Sequence, residues 1–214
     1  MWSVIKILFI EMSHKVSGPL LDNPYAFNYV RYLLAGKQIK IKQFIQKNLI
    51  AYKCSSVLDL CCGTGDFAYA CPSGVKYVGV DLNKDFTNYA RKRFKNDNEK
   101  KFLEEDIIKS KTLYRKKYDA VLLISAVHHF SDKELKILLP KIKKLVNKVL
   151  IVADIIPDPP LLLQRFFTRI DRGRYVRPKK EKLAIINRYF NVVATKPIPT
   201  RSAVQLGILC ELKL

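Results

Sequence analysis

Val57 to Phe67, VLDLCCGTGDF, is the stretch that decides how the rest of the chain is read. Val57, Leu58 and Leu60 form a short apolar run of the kind that is buried on both faces of a parallel sheet. One carboxylate, Asp59, interrupts the run. A turn follows at once with two glycines two residues apart, Gly63 and Gly65. Glycine adopts left-handed backbone cheaply and lets a ligand approach the main chain, so this pattern reads as a strand end shaped to meet a small molecule. A helix is expected from about Asp66, and its start would offer unpaired N–H groups and a positive dipole end.

Outward from this turn, strands and helices alternate. Lys76–Val80 (KYVGV), Lys101–Glu104, Tyr118–Ile124 (YDAVLLI) and Lys148–Ala153 (KVLIVA) read as further strands, with a helix over Asn83–Phe94. Ser131 and Glu134 have the spacing of a capping box. The helix they start carries Leu135, Leu138, Leu139, Ile142 and Leu145 on one stripe, and Pro140 is expected to kink or restart it. Upstream, Tyr25–Leu34 and a stripe of Ile39, Ile41, Phe44, Ile45, Leu49 and Ile50 read as two helices separated by Gly36. Downstream of PDPPLLL (157–163), a helix is expected over Lys179–Tyr189. Two extended runs near 191–195 and 203–211 suit a terminal antiparallel hairpin.

This order predicts an α/β fold: a doubly wound, seven-stranded sheet, mainly parallel with a C-terminal antiparallel hairpin, and helices on both faces. The 214 residues suit a single domain. Within it we expect an N-terminal helical cap (1–53), a ligand-binding core (54–156), a variable substrate-side segment (157–190) and the hairpin (191–214). Ligands in such sheets bind at the carboxyl ends of the strands, where strand order reverses. Asp59, Asp81 and Asp106 fall there, 22 and 25 residues apart, one β-α unit each. Gly63, Gly65 and Ala68 also satisfy the dinucleotide fingerprint, so these glycines alone leave an NAD-binding reading open.

Asp59, Gly63 and Gly65 set in D-x-x-x-G-x-G resemble the first motif of class I S-adenosylmethionine-dependent methyltransferases. Glu105-Asp106-Ile107 resembles the family's adenine-binding position. Tyr118 to Phe130, YDAVLLISAVHHF, resembles its fourth motif as seen in small-molecule and quinone-type members. The three run in the family's order over residues 57–130, and the likeness is greatest to the ubiquinone/menaquinone-biosynthesis and small-molecule or lipid branch. The resemblance implies a Rossmann-like fold, S-adenosyl-L-methionine as cofactor and S-adenosyl-L-homocysteine as product. It also implies roles. Asp59 organises the amino-acid end of the cofactor, and the turn Cys61-Cys62-Gly63-Thr64-Gly65 wraps its methionine. Asp81, with Leu82 beside it, takes the ribose hydroxyls. Asp106 takes the adenine amino group and the Ile107 N–H the ring. Ser125 and Ala126 pass beside the cofactor, and His128 and His129 face the substrate opening. Tyr25, and Tyr32 one helical surface away, would close over the site. Cys61 is a departure, because many members have glycine there.

Methyl transfer is an in-line displacement whose main demand is alignment, and a general base is needed only for an acceptor that carries a proton. His128 and His129 are the candidates, since histidine titrates near neutral pH. Asp154, after the fifth strand, reads equally as pocket lining or as a cap for the loop entering Pro157.

Hydrophobic residues at 49% and charged residues at 27% place the chain among globular proteins and exclude a disordered one. The five cysteines form no C-x-x-C pair, which predicts no metal site and a reduced, cytoplasmic protein. The apolar start, Met1–Met12, contains Lys6 and Glu11 and is too short to span a membrane. It lacks the basic flank of a signal peptide, so a packed element or a membrane-surface anchor is expected.

The net charge of +20 is concentrated in the flanks. Residues 1–53 hold 8 Lys/Arg against 2 Asp/Glu, and residues 161–201 hold 11 against 2. A lysine-rich surface of compositional origin and a surface facing an anionic partner, nucleic acid or lipid headgroups, both fit that pattern. LLLQRFF beside Arg165, Arg169, Arg172, Arg174 and Arg177 suits peripheral contact with an anionic membrane. SAVHHF is neither the Asn/Asp-Pro-Pro-aromatic motif of base-amino methylation nor the Pro-Cys pair of cytosine-carbon methylation. The expected acceptor is therefore a small molecule or a lipophilic one, quinone- or phospholipid-like. RNA or protein methylation and a non-catalytic cofactor-binding partner remain the alternatives. No sequence feature fixes an oligomeric state.

Overall fold

The computed structural model describes residues 22–110, 113–157 and 174–213. Two helices open it. In α1, Pro24–Ala35, the Asn23 side chain accepts the Tyr25 and Ala26 N–H groups and Pro24 occupies the first turn, where its missing N–H costs nothing. α2, Ile39–Ala51, buries Ile41, Ile45, Asn48 and Leu49. By contrast, α1 buries no residue at all.

The strands are β1 Ser56–Leu60, β2 Lys76–Asp81, β3 Lys100–Glu104, β4 Tyr118–Ile124, β5 Val146–Ile155, β6 Phe190–Pro199 and β7 Val204–Leu212. They form one seven-stranded sheet in the order β3-β2-β1-β4-β5-β7-β6. The first five run parallel, β7 pairs antiparallel with β5, and β6 pairs antiparallel with β7. This is the Rossmann-like, doubly wound architecture expected, hairpin included. Strand order reverses between β1 and β4, so the binding crevice opens there.

Alternation along each strand sends side chains to two cores. Leu58, Leu60, Val121 and Leu123 pack against Leu135, Leu138 and Leu139 of helix α4, Asp132–Leu145. Val57, Tyr77, Ala120 and Leu122 face Ile41, Ile45 and Leu49 of α2, together with Ala90 and Phe94 around helix α3, Lys84–Arg93. Each fully buried leucine or isoleucine contributes about 1.5–3 kcal/mol. A last helix, α5 (Lys179–Ile186), lies before β6.

Three local expectations are corrected. The helix expected from Asp66 is a five-residue 3-10 turn, Asp66–Ala70, because Pro72 and Gly74 leave no length for more before β2. α4 continues through Pro140 to Leu145, although proline removes one intrahelical N–H there. α5 ends three residues before Tyr189. The capping box at Ser131 and Glu134 forms as read. Met1–Met12, residues 158–163, Arg165, Arg169 and Arg172 lie outside the described residues. All five cysteines are free. Among the described residues no helix is long and apolar enough to cross a membrane.

Candidate active site

The loop leaving β1 is shaped by two residues in left-handed backbone, Cys61 (φ 60°) and Gly65 (φ 78°), with Gly63 (φ 56°) between them. A side chain at Gly65 would begin 2.8 Å from the Phe102 ring and 3.2 Å from Ala90, so this turn sits directly on α3 and β3. The Cys62 N–H donates to the Val80 carbonyl at 3.0 Å, and the Gly63 N–H donates to Asp81 Oδ2 at 2.7 Å. Asp81 Oδ1 accepts the Asn83 N–H at 2.9 Å. Asp81 thus ties the glycine turn to the end of β2. Burial pushes its carboxyl up, and the Asn83 and Gly63 N–H groups offset part of that rise. Cys62, Thr64 and Gly65 are buried, while Cys61 and Gly63 are half-buried.

Asp59 is closed off from this turn. Its carboxylate is 1% exposed and accepts the Tyr77 hydroxyl at 2.6 Å. Burial raises the Asp59 carboxyl to about 7, against the lowering effect of the Tyr77 bond and with a further rise from Asp81. Asp59 thus braces β1 to β2 beneath the turn. Leu82 projects, 70% exposed. Asp106 Oδ1 accepts the Ile108 and Lys109 N–H groups at 2.8 and 3.2 Å, and Oδ2 lies 3.6 Å from Lys109 Nζ. Burial would raise its carboxyl, but these donors hold it below the usual range. The Ile107 side chain is buried and its carbonyl accepts the Tyr114 hydroxyl.

At the end of β4, Ser125 is also left-handed (φ 51°). Its N–H donates to the Ala153 carbonyl at 2.7 Å, and its Oγ accepts Gln205 Nε2 at 2.8 Å. Ala126 is buried. His128 is 3% exposed, with Nδ1 2.5 Å from Asp154 Oδ1. His129 is exposed, its ring 4.3 Å from that of His128. Only one of the two histidines is therefore built into the wall.

The N-terminal helix supplies residues that sequence reading missed. Phe27 lies 4.0 Å from the Cβ position of Gly63 and packs on Phe86 of α3. Asn28 Oδ1 accepts the Thr64 hydroxyl at 2.7 Å and Arg31 Nη2 at 3.1 Å. Arg31 Nη1 and Lys42 Nζ donate to Asp66 Oδ2 at 2.9 and 2.8 Å, and Arg93 Nη2 donates to Oδ1 at 3.3 Å. Tyr25 is 68% exposed and stands edge-on to Tyr89 beside Asp85, Asn88 and Lys92. Phe27 is the aromatic of α1 that meets the glycine turn. Tyr32 is 47% exposed as well.

The fit to an amino-acid-bearing cofactor rests on two orphaned groups. Asn28 Nδ2 and Arg31 Nε are buried without a hydrogen-bond partner. Both are donors, both belong to α1, and Asn28 bonds Thr64 of the glycine turn. Buried donors left unpaired cost about 1–3 kcal/mol each, and a ligand carboxylate here would satisfy them. Among the described residues no cluster of His, Cys, Asp and Glu could hold a metal ion.

Residues 57–148 match a family model described as a methyltransferase domain. No curated protein matches the chain in sequence. Among solved structures, magnesium protoporphyrin IX methyltransferase from Synechocystis PCC 6803, with bound S-adenosylhomocysteine, is similar at TM-score 0.65 and 18% identity. That likeness covers 82% of this chain and 84% of that one. The methyltransferase domain of bacterial CtHen1 is similar at TM-score 0.67 and 18% identity, over 81% and 98%. An S-adenosylmethionine-dependent methyltransferase from Clostridium acetobutylicum ATCC 824 is similar at TM-score 0.67 and 12% identity, over 88% and 98%. These likenesses concern the fold.

Proposed function

We propose, for this S-adenosylmethionine-dependent methyltransferase with its methyltransferase domain at residues 57–148, a small and weakly polar acceptor rather than a polyanionic macromolecule. One observation carries the reading: among the described residues, two cations beside the histidine turn, Arg177 and Lys182, are buried and consumed inside the protein. Arg177, 6% exposed, donates to Asp132 at 2.7 and 2.9 Å and to the carbonyls of Val127, Phe130 and Tyr175. Lys182, 1% exposed, donates to Asp154 and to the Ile155 carbonyl. Neither is available to a phosphate. The wall around them is apolar, made by Leu123, Val127, Leu135, Leu139, Val152 and Ile185. Of the arginines that suggested a lipid surface, Arg174 is exposed and Arg177 is not.

When bound, the cofactor supplies an electrophilic methyl group on a sulfonium. Arg31, Asn28 and the backbone of Cys61–Gly65 hold its amino-acid end, with Phe27 as a lid and Asp59 as a brace beneath. Asp81 takes the ribose hydroxyls beside Leu82, and Asp106 with the Ile107 N–H takes the adenine. Ser125 and Ala126 line the crevice toward the acceptor, and the left-handed backbone at Ser125 leads into the turn that carries His128.

The test is transfer from methyl-labelled S-adenosylmethionine to three pools: hydroxylated aromatic and quinol compounds in mild detergent, total RNA, and purified proteins. Label is expected in the organic extract. Label confined to RNA or protein refutes the reading and favours the basic flanks as the recognition surface. Flotation with anionic and neutral vesicles separates a dissolved acceptor from one reached at a membrane.

A further inference from the structure

Because β7 runs antiparallel to β5, its first residues lie at the carboxyl ends of the parallel strands, where the crevice opens. Gln205 is there, paired with Ile155 of β5 and Ile198 of β6, and it is 4% exposed. The neighbours that share its face of the sheet, Ile198, Ala153 and Ile124, are apolar and buried. One pair along, a side chain at Gly207 would begin 2.8 Å from Ile198 and 3.1 Å from Phe44 of α2, so apolar groups close that side. Across β5, Gln205 Nε2 donates to Ser125 Oγ at 2.8 Å. The other end of the same amide, Oε1, is buried without a hydrogen-bond partner. Ser125 is half-buried, and its backbone is pinned in the left-handed region by the bond to Ala153. A serine hydroxyl that accepts a hydrogen bond still has its own proton to give, and among the described residues nothing takes it.

We propose that Gln205 and Ser125 are a specificity-determining pair that reads the molecule to be methylated. The Ser125 hydroxyl donates to an oxygen of that molecule, and the Gln205 carbonyl takes an N–H or O–H beside it. Ser125 is the open side of the pair. The Gln205 amide lies behind it on a flexible side chain, and turning that chain brings Oε1 to a molecule already bonded to Ser125. The pair presupposes the small, weakly polar acceptor proposed above and narrows its class to a neutral one with a hydrogen-bond donor next to an oxygen, as in a carboxamide or a hydroxyl beside a carbonyl. A carboxylate does not fit. It would set a negative oxygen against the Gln205 carbonyl, and among the described residues no charged side chain bonds either member of the pair.

The two sides of the crevice are thus opposite in kind. On α1 the unpaired groups are donors, Asn28 Nδ2 and Arg31 Nε, and suit a carboxylate; on β7 the unpaired group is an acceptor and suits a donor. A polar side chain that only braces strands looks different in this fold. Asp119, at the amino end of β4, has both oxygens paired: Oδ2 accepts the Ser55 N–H and hydroxyl, each at 2.8 Å, and Oδ1 accepts Asn147 Nδ2 at 3.0 Å. Gln205 leaves half of its amide unused in an apolar layer. A site whose buried polar groups are completed only by the right ligand rejects analogues that leave them unpaired.

Benzamide and benzoate test the pair. They match in size, but one presents a donor beside an oxygen and the other two oxygens and a charge. Proton–nitrogen NMR of the side-chain amides is recorded on the full chain with S-adenosylhomocysteine, and Q205M assigns the Gln205 signals by their loss. Millimolar benzamide should shift those signals and benzoate should not. Benzamide binding should weaken about tenfold in Q205M, and about as much in S125A, which keeps the amide and removes the hydroxyl. The urea midpoint and S-adenosylhomocysteine affinity of Q205M should match wild type, because the variant removes an unpaired oxygen together with one bond. With a small acceptor that takes label, Q205M should lose about tenfold in kcat/KM, mainly through KM. Equal shifts with both probes, no shift with either, or a Q205M protein that unfolds at clearly lower urea overturns the proposal. Label delivered equally to the organic extract by wild type and Q205M refutes the pair alone. Benzamide selectivity with label confined to RNA or protein refutes the small-acceptor reading alone.

Discussion

Asp59→Asn should make the protein more stable at alkaline pH and flatten its pH profile. Asp59 is a buried carboxyl on the face of β1 that holds Val57, bonded among the described residues only by the Tyr77 hydroxyl, and burial raises it from 3.8 to about 7. Folding therefore takes up a proton between these values. The unfolded chain is ionised above about 4 while the folded one stays neutral until 7, so stability falls as pH rises through this window. At 1.36 kcal/mol per pH unit, the loss approaches about 4 kcal/mol over the whole window, of which about 2 kcal/mol falls between pH 5 and 7, the slope fading as the folded group itself ionises. Asparagine does not titrate. Its carbonyl can still accept the Tyr77 hydroxyl, but its amide N–H groups gain no partner, at a cost of about 1–3 kcal/mol. That cost is constant with pH, so the slope is the cleaner observable. Urea unfolding of both proteins without cofactor, at pH 5, 6, 7 and 8, followed by circular dichroism, gives the difference profile. The variant should gain about 1.4 kcal/mol per unit relative to wild type between pH 5 and 6, less toward pH 7, and then level off. Parallel profiles would mean that Asp59 is ionised throughout and solvated by the turn, and the assignment of Asp59 as a buried brace would fail.

Further outcomes follow from the same geometry. Gly65→Ala combines a positive φ with a Cβ 2.8 Å from the Phe102 ring; we expect a loss of about 2–4 kcal/mol in denaturant unfolding, from left-handed strain plus overpacking. Asp66→Asn leaves Arg31, Lys42 and Arg93 converging without their carboxylate, and should cost about 2–3 kcal/mol at pH 7, less than for a fully buried pair because the cations are partly solvated. Burial raises the Asp66 carboxyl, but Arg31 and Lys42 bring it below its usual value. Its stabilisation is thus present above the unfolded value and lost as pH falls through the folded one, so the wild-type and variant curves should converge in acid. Phe27→Ala should weaken S-adenosylhomocysteine binding about tenfold in calorimetry, the equivalent of roughly 1.4 kcal/mol of lid contact, while Tyr25→Ala should not.

The sheet was legible because its signal is repeated. Each parallel strand is an apolar run bounded by turn residues, and the spacing of Asp59, Asp81 and Asp106 counts the β-α units. The cap was harder, for a physical reason. α1 buries no residue, so no apolar stripe fixes its orientation. Tyr25, Tyr29 and Tyr32 form a tempting face, yet all three are exposed. Phe27 and Arg31 lie two positions on, which at about 100° per residue is nearly the opposite side. Asp59 carried a signal of its own. In a strand it shares a face with Val57, opposite Leu58 and Leu60, and so points into the layer that holds Tyr77 rather than out of the strand end. The His128–Asp154–Lys182 group was not legible as a group: its members are 26 and 28 residues apart in sequence and meet only when α5 docks.

The two strands flanking the reversal of strand order end alike. Of the four described non-glycine residues with positive φ, Cys61 follows β1 and Ser125 follows β4. Left-handed backbone costs a side-chain-bearing residue about 1–2 kcal/mol, and neither position is forced by a tight hairpin. Each is pinned from the neighbouring strand: the Cys62 N–H by the Val80 carbonyl of β2, the Ser125 N–H by the Ala153 carbonyl of β5. Pairing between β1 and β4 reaches only Asp59 and Leu122, short of both strand ends. The chain therefore leaves the sheet toward β2 on one side and toward β5 on the other, and the crevice between them is held open by bonds that pull its lips apart. Strain kept at two adjacent strand ends, and nowhere else in the described sheet, is what would be expected if the opening itself is the working part of the molecule.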